Sequence, residues 1–300
     1  MDFLERYVDW MRSRKPDLSG LRFAVDCSNG MSSLLVPALL PEAAVVINAT
    51  QDGTFPAHSP NPLKAESREQ LSRLVVERGL DCGLIFDGDA DRCMFVDERG
   101  EFVQPDYLIP VVARATGRGK VIHDVRTSRG AIEALREQGC EPVMVPVGHA
   151  FAKPILREIK AVCGGELAGH YYFSEFFGCD SGMLAALRIL GEVAAAHREG
   201  VAFSQLMKPI AGRYANSGEL NFQVEAKDAA IERVLATVAE MLPKELSRST
   251  IDGIRIEFAE GWVNIRKSNT EPFLRLIAEC DTAERLTEWT DLLRNAINAG

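Results

Sequence analysis

The sequence predicts an α/β fold of two consecutive α/β domains with mixed, largely parallel sheets, followed by a C-terminal α+β domain with an antiparallel sheet. Three observations carry this. Short apolar, β-favouring runs alternate with helical periodicities through residues 1–207, which implies parallel strands joined by right-handed crossovers. Residues 208–300 instead cluster their strands with few helices between them. A chain of 300 residues also exceeds the size at which one apolar core keeps growing. The expected domains are 1–101, 102–207 and 208–300. The breaker-rich run Lys208-Pro209-Ile210-Ala211-Gly212 is expected to be the hinge before the third.

In the first domain an amphipathic start (Phe3, Leu4, Tyr7, Val8, Trp10, Met11) precedes a strand over 21–26, a helix over 34–40 and a strand over 44–47. A helix over 65–78 leads to buried strands around Leu84 and over 93–96. The second domain opens near Pro105 with a helix to 115. It continues with strands over 120–123 and 142–145, helices over 129–138 and 149–159, a strand ending near 164 and a long helix over 182–197. In the third, residues 218–224 alternate and 228–242 read as a helix. Strands are expected over 253–258, 262–265 and 273–279, before a last helix.

Composition narrows the function. An apolar fraction of 46% with 26% charged residues is that of a globular enzyme, and no apolar run approaches the ~20 residues that span a bilayer. The amino terminus lacks the basic and apolar segments of a secretory signal, so a cytoplasmic protein is expected. A net charge of −9 argues against nucleic acid or an anionic membrane as partner, yet locally convergent arginines can still hold an anionic substrate. The 7 cysteines are scattered singly, mostly in apolar runs, as reduced core residues are.

The most informative segment is Asp87-Gly88-Asp89-Ala90-Asp91-Arg92. It places three carboxylates at alternate positions between two β-favouring runs, at a strand's carboxyl end, where ligands bind in α/β sheets. A calcium loop of the helix-loop-helix kind does not fit: its sixth position requires glycine and holds Arg92, and its flanks would have to be helical. Mutual repulsion of the three carboxylates favours a divalent cation, for which Mg2+ is the natural candidate. Two other loops carry polar groups. Gly164-Gly165-Glu166-Leu167-Ala168-Gly169-His170 is either an exposed polar turn or a ligand-gripping one. Arg266-Lys267-Ser268-Asn269-Thr270-Glu271-Pro272 is either a polar hairpin or a phosphate clip.

In this order and at these separations the three loops resemble those of the α-D-phosphohexomutase superfamily, the phosphomannomutases and phosphoglucomutases. The family's metal loop Asp-Gly-Asp-(Gly/Ala)-Asp-Arg matches 87–92. Its sugar loop Gly-Glu-x-Ser-Gly-His matches 165–170 with one departure, and its phosphate loop Arg-x-Ser-(Asn/Gly)-Thr-Glu-Pro matches 266–272. Shorter agreements occur at 25–30, 52–56 and 147–149. The resemblance covers the whole chain but only the second to fourth of the family's four domains. The first, with its Thr-x-Ser-His-Asn-Pro loop and phosphoryl-donating serine, has no counterpart, and Ser59 in Ala57-His58-Ser59-Pro60-Asn61-Pro62 reads as a turn residue.

The resemblance implies that Asp87, Asp89 and Asp91 hold Mg2+, with weak or water-completed occupancy, and that Arg92, Arg126 and His149 are catalytic. It assigns Glu166 and His170 to sugar hydroxyls, and Arg266, Ser268, Asn269 and Thr270 to the non-reacting phosphate of a hexose phosphate or bisphosphate. Lys153 is a further charge partner. Three departures stand out: Ala168 for serine, Arg126 for a frequent lysine and Ala150 for serine. The implied activity is intramolecular phosphoryl transfer with a separately supplied serine-loop domain. The alternatives are a catalytically degenerate phosphosugar-binding protein and, less favoured, a metal-dependent phosphatase.

Overall fold

Nearly continuous apolar runs suit strands covered on both faces, and three such runs set the first sheet. In the computed structural model, which describes residues 2–241, 244–268 and 271–299, β1 (Phe23–Asp26), β3 (Cys82–Phe86) and β4 (Cys93–Asp97) are buried throughout. With β2 (Val45–Ile47) and β5 (Phe102–Val103) they form a sheet of order β2-β1-β3-β4-β5. The β1 pairs with β2 and β3 are parallel, and the β3–β4 and β4–β5 pairs antiparallel. α1 (Phe3–Arg12) is started by a capping box of Asp2 and Glu5. α2 (Val36–Leu39) is short, and α3 (Ala65–Arg78) lays Leu71 and Val75 over Gly83 of β3.

The second sheet repeats the plan with β6 (Lys120–Asp124), β7 (Glu141–Val145), β8 (Cys163–Gly165), β9 (Tyr171–Phe173) and β10 (Cys179–Asp180) in the order β10-β9-β8-β6-β7. β6 pairs in parallel with β7 and β8, whereas β8–β9 and β9–β10 are antiparallel. Its helices are α4 (Ile109–Thr116), α5 (Arg129–Glu137), α6 (His149–Glu158), α7 (Gly182–Arg198) and α8 (Phe203–Ala211). One continuous apolar core, running from Val8 to Ile210, joins both sheets.

The third sheet is antiparallel, of order β11-β16-β15-β14-β13, with β12 also on β16. Its strands are β11 (Ala215–Asn216), β12 (Leu220–Phe222), β13 (Ser247–Ser249), β14 (Ile254–Phe258), β15 (Gly261–Lys267) and β16 (Leu274–Cys280). α9 (Lys227–Met241) and α10 (Ala283–Asn298) cover one face around a separate core containing Val234, Ile265, Leu276 and Trp289. Its contact with the second sheet includes many charged groups. The Arg255 guanidinium, 3.7 Å from the Trp262 ring, donates to the carbonyls of Val125 and Thr127 at 2.6 and 3.0 Å. The Arg129 amide donates to Glu279 at 2.8 Å.

Two expectations need correction. The breaker-rich run 208–212 is not a loose hinge: it is helical to Ala211, with Pro209 inside α8 and Met207 and Ile210 buried in the main core. Packing of that apolar face outweighs the proline's cost, and Gly212 caps the helix. The segment 171–181, for which no element is expected, contains the β9–β10 hairpin. Among the described residues, no helix is long and apolar enough to cross a membrane.

Candidate active site

The acidic turn follows β3, beside the end of β1, so two neighbouring parallel strands deliver their loops to one place. The β1 loop braces it. Ser28 Oγ donates to the Phe86 carbonyl at 2.6 Å, and the Met31 amide donates to the Gly88 carbonyl at 2.9 Å. A Cβ at Gly30 would lie 2.4 Å from the Gly88 oxygen, and one at Gly182, where α7 begins, 2.7 Å from the Ala90 oxygen. Backbone thus fixes the turn from two sides. Gly30→Ala is therefore expected to push the turn outward, at a stability cost of about 1–3 kcal/mol and with weaker Mn2+ binding by calorimetry. Unchanged affinity in the folded variant would show that the bracing does not shape the metal ligands.

Within the turn Asp87 is buried and bound by Arg92, whose Nε donates to Oδ2 at 2.6 Å and whose amide donates to Oδ1 at 3.1 Å. Burial, aided by Asp91, raises the Asp87 carboxyl against the pull of Arg92. Burial and the Asp87 charge raise Asp89. Among the described residues, two groups bring their ligand atoms within 4.8 Å of one another: Asp87, Asp89 and Asp91, and Asp91, His170 and Asp180.

The glycine-framed loop 165–170 is the turn between β8 and β9, closed by the Glu166 amide on the His170 carbonyl at 3.0 Å and the Gly169 amide on the Glu166 carbonyl at 3.0 Å. It lies directly on the acidic turn. Arg92 and His170 form an antiparallel bridge, and the Cys93 amide donates to the Gly169 carbonyl at 3.4 Å. The His170 ring lies 3.0 Å from Asp180 and 3.7 Å from Asp91, and Lys153 lies 2.8 Å from the other Asp180 oxygen. Burial alone would lower the His170 ring, but Asp180, Asp91 and Glu166 raise it. Burial alone would likewise raise Asp180, and its contacts with His170 and Lys153 hold it at about 2. Glu166 is 2% exposed and accepts from the Gly148 amide at 2.8 Å, and burial with the nearby Asp124 raises its carboxyl.

Asp124 ends β6 as Asp87 follows β3. Fully buried, it accepts from Arg126 through the amide at 2.7 Å, Nε at 3.2 Å and Nη2 at 2.6 Å, and from the Leu167 amide at 3.0 Å. Arg126 reaches on to Glu219 at 3.3 Å, where Arg266 and Arg275 also donate, at 3.1 and 2.9 Å. The second and third sheets thus meet through charged groups beside the loop 165–170.

The sequence-derived residues fall out as follows. Asp87, Asp89, Asp91, Arg92, Glu166 and His170 lie together. His149, the exposed first residue of α6, faces the His170 ring at 5.9 Å between centroids. Arg126 is 3% exposed, ion-paired on both sides rather than free in a cleft. Arg266 is similarly buried, between Glu219 and Asp252. The Ser268 hydroxyl accepts from the Glu271 amide at 3.2 Å. Asn269 and Thr270 lie outside the described residues. Lys153 is paired, not solvated, and Ser59 offers its carbonyl to Ser67 and His58 in a turn. Asp124, Asp180, Glu219 and Arg275 went unread in the sequence. Only Asp124, closing a β-favouring run as Asp26 does, carried a local signal.

These sheets bring a cluster of carboxylates against a glycine-framed loop, an arrangement of two mixed α/β sheets and one antiparallel sheet found in α/β enzymes. Profiles described as phosphoglucomutase/phosphomannomutase alpha/beta/alpha domain II, alpha/beta/alpha domain III and C-terminal domain match residues 1–100, 104–214 and 219–296. Phosphohexose mutases of Xanthomonas campestris pv. campestris are 38% identical over 306 residues, covering 98% of this chain and 66% of theirs. A phosphomannomutase of Methanocaldococcus jannaschii is 35% identical over 304 residues, covering 99% and 66%. The crystal structure of a phosphoglucomutase/phosphomannomutase family protein from Burkholderia thailandensis superposes with a TM-score of 0.84 at 28% identity, covering 99% of this chain and 64% of that one. That of Aspergillus fumigatus N-acetylphosphoglucosamine mutase with GlcNAc-6P and magnesium gives 0.65 at 14% identity, covering 99% and 69%, a likeness of fold alone. The chain belongs to the phosphoglucomutase/phosphomannomutase family of the α-D-phosphohexomutase superfamily. It spans about two thirds of the length of the curated relatives it matches.

Proposed function

We propose that the chain supplies the metal, sugar and phosphate-binding parts of a cytoplasmic phosphohexomutase acting on a hexose phosphate through its bisphosphate, together with a serine-loop domain that donates the phosphoryl group. The observation that carries this reading is the Arg92–His170 bridge, which sets the carboxylate turn against the sugar loop. We assign the three parts to domains 1–101, 102–207 and 208–300.

Asp87, Asp89 and Asp91 would hold the cation. Their oxygen-only donors and mutual repulsion fit Mg2+, which when bound neutralises charge on the transferring phosphoryl group. Arg92, held on Asp87 through Nε, would act in the same region. The raised Glu166 and His170 would face the sugar hydroxyls: Glu166 as acceptor or proton carrier, His170 as a cation backed by Asp180. His149 stands across from His170 as a second proton carrier. Arg266 and Ser268, with Asn269 and Thr270, would clamp the distal phosphate, so that binding remote from the reaction orients the reacting group, and Arg126, paired with Glu219 beside Arg266, would act as a charge partner.

The test is a coupled mutase assay on glucose and mannose phosphates, with the chain alone and with an added serine-loop domain from a relative. Turnover is expected only in the mixture. Absence of turnover there, with the chain folded, overturns the reading. One observation favours the second reading, a phosphosugar-binding protein without turnover: Ala168 lacks the hydroxyl that would help hold the sugar, a loss of about 0.5–1.5 kcal/mol. Calorimetric binding of glucose 6-phosphate that fails on Arg266→Ala, with no turnover in the mixture, would select it.

A further inference from the structure

We propose that Glu219 is a built-in anion of the phosphate clamp: its carboxylate occupies the point on which three guanidiniums converge, and a ligand phosphate binds by displacing it. The inference rests on the phosphate-clamp reading above and extends it to Arg126 and to two residues, Glu219 and Arg275, that carry no motif.

Glu219 lies between β11 and β12, and its carboxylate is shared. Arg126 and Arg266 both donate to Oε1, at 3.3 and 3.1 Å, and Arg275 donates to Oε2 at 2.9 Å. The three come from different places, Arg126 from the loop after β6, Arg266 from β15 and Arg275 from β16. Groups this far apart in sequence, aimed at one point, are what recognition of a tetrahedral dianion requires. Burial alone would raise the Glu219 carboxyl, but Arg126, Arg266 and Arg275 hold it below the ordinary range, so it stays charged at neutral pH.

Each arginine is already compensated. Arg126 is also held by Asp124, Arg266 lies 3.9 Å from Asp252, and Arg275 is also bonded to Glu271. Four carboxylates therefore face three guanidiniums, and an incoming phosphate meets no net positive field until one carboxylate leaves. Glu219 is the one bonded to all three. Two donors mark the remaining capacity of the site: the Nε groups of Arg266 and Arg275 are buried and find no acceptor among the described residues. A larger anion with more acceptor oxygens can take the η donors that Glu219 now holds and reach these as well. Glu219 also ties Arg126, beside the sugar loop, to the third sheet, so its displacement transfers that tie from protein to ligand.

Calorimetry with inorganic phosphate on the intact chain tests this with Glu219→Gln, which keeps the shape and removes the charge. Affinity is expected to rise roughly fivefold or more at low salt, and the gain to shrink as salt is added. Equal or weaker binding by a variant whose circular dichroism and urea midpoint match the parent overturns the proposal, because Glu219 would then only hold the arginines in place. If Glu219→Gln does not fold, Glu219→Asp, which withdraws the carboxylate by one methylene, decides it in the same way: tighter binding supports displacement, and equal or weaker binding overturns it. Arg266→Met separates this inference from the reading beneath it. If that change leaves phosphate affinity intact, the clamp itself is misassigned. If it abolishes binding while Glu219→Gln fails to strengthen it, only the displacement step is wrong.

Discussion

Asp89→Asn is expected to lower mutase turnover about a hundred- to a thousandfold in the mixture with a serine-loop domain, while leaving stability within about 0.5 kcal/mol. The contrast between the two effects follows from where the three carboxylates sit. Asp87 is buried and anchors Arg92, so replacing it damages the turn as well as the metal site. Asp91 also faces His170 and Arg92. Asp89 is exposed, and its main electrostatic relation is repulsion from Asp87. Neutralising it relieves the folded protein slightly and removes one hard oxygen charge from the cation. Mn2+ binding by calorimetry should weaken about tenfold or more in parallel. Turnover within tenfold of the parent at saturating metal would remove the carboxylate turn from the chemistry.

What could be read in advance depended on how local the determinant was. The acidic turn announced itself because Cys82–Phe86 and Cys93–Asp97 are fully buried strands of largely apolar composition, and only a tight turn fits between them. His170 and Glu166 were framed by glycines. The β9–β10 hairpin was missed because its strands are three and two residues long, too short for a period to register, and Asp180 was lost with it. The helix through Pro209 was missed for the opposite reason. A strong local breaker signal was overridden by burial of Met207 and Ile210, which no local rule contains. The charged junction was least legible. Glu219 is 93 residues from Arg126 and 56 from Arg275, and only the meeting of two sheets makes them neighbours. The resemblance supplied Arg126 as a catalytic group and Arg266 as a phosphate ligand, but not the carboxylates that restrain them.

Asp124→Ala is expected to cost about 3–5 kcal/mol, because it takes from the buried Arg126 guanidinium its closest counter-charge and leaves Glu219, at 3.3 Å, and the more distant Glu166 to balance it. The Leu167 amide loses its acceptor as well, so the sugar loop loosens where Glu166 is presented. Urea denaturation at neutral pH should show the loss in the midpoint. The pH dependence has a definite sign. Burial opposes the charged form of Asp124, but Arg126 and its hydrogen bonds prevail and hold its carboxyl below the ordinary value. The unfolded chain therefore binds the proton more tightly, and the stabilisation is present above the unfolded value of about 3.9 and lost as pH falls through the lower, folded one. The gap between parent and variant should accordingly be constant from pH 8 to about 5 and close in more acidic solution, in contrast to a cavity cost, which would not titrate. A gap that is small at neutral pH, or one that persists unchanged into acid, would mean that Asp124 holds Arg126 by shape and not by charge.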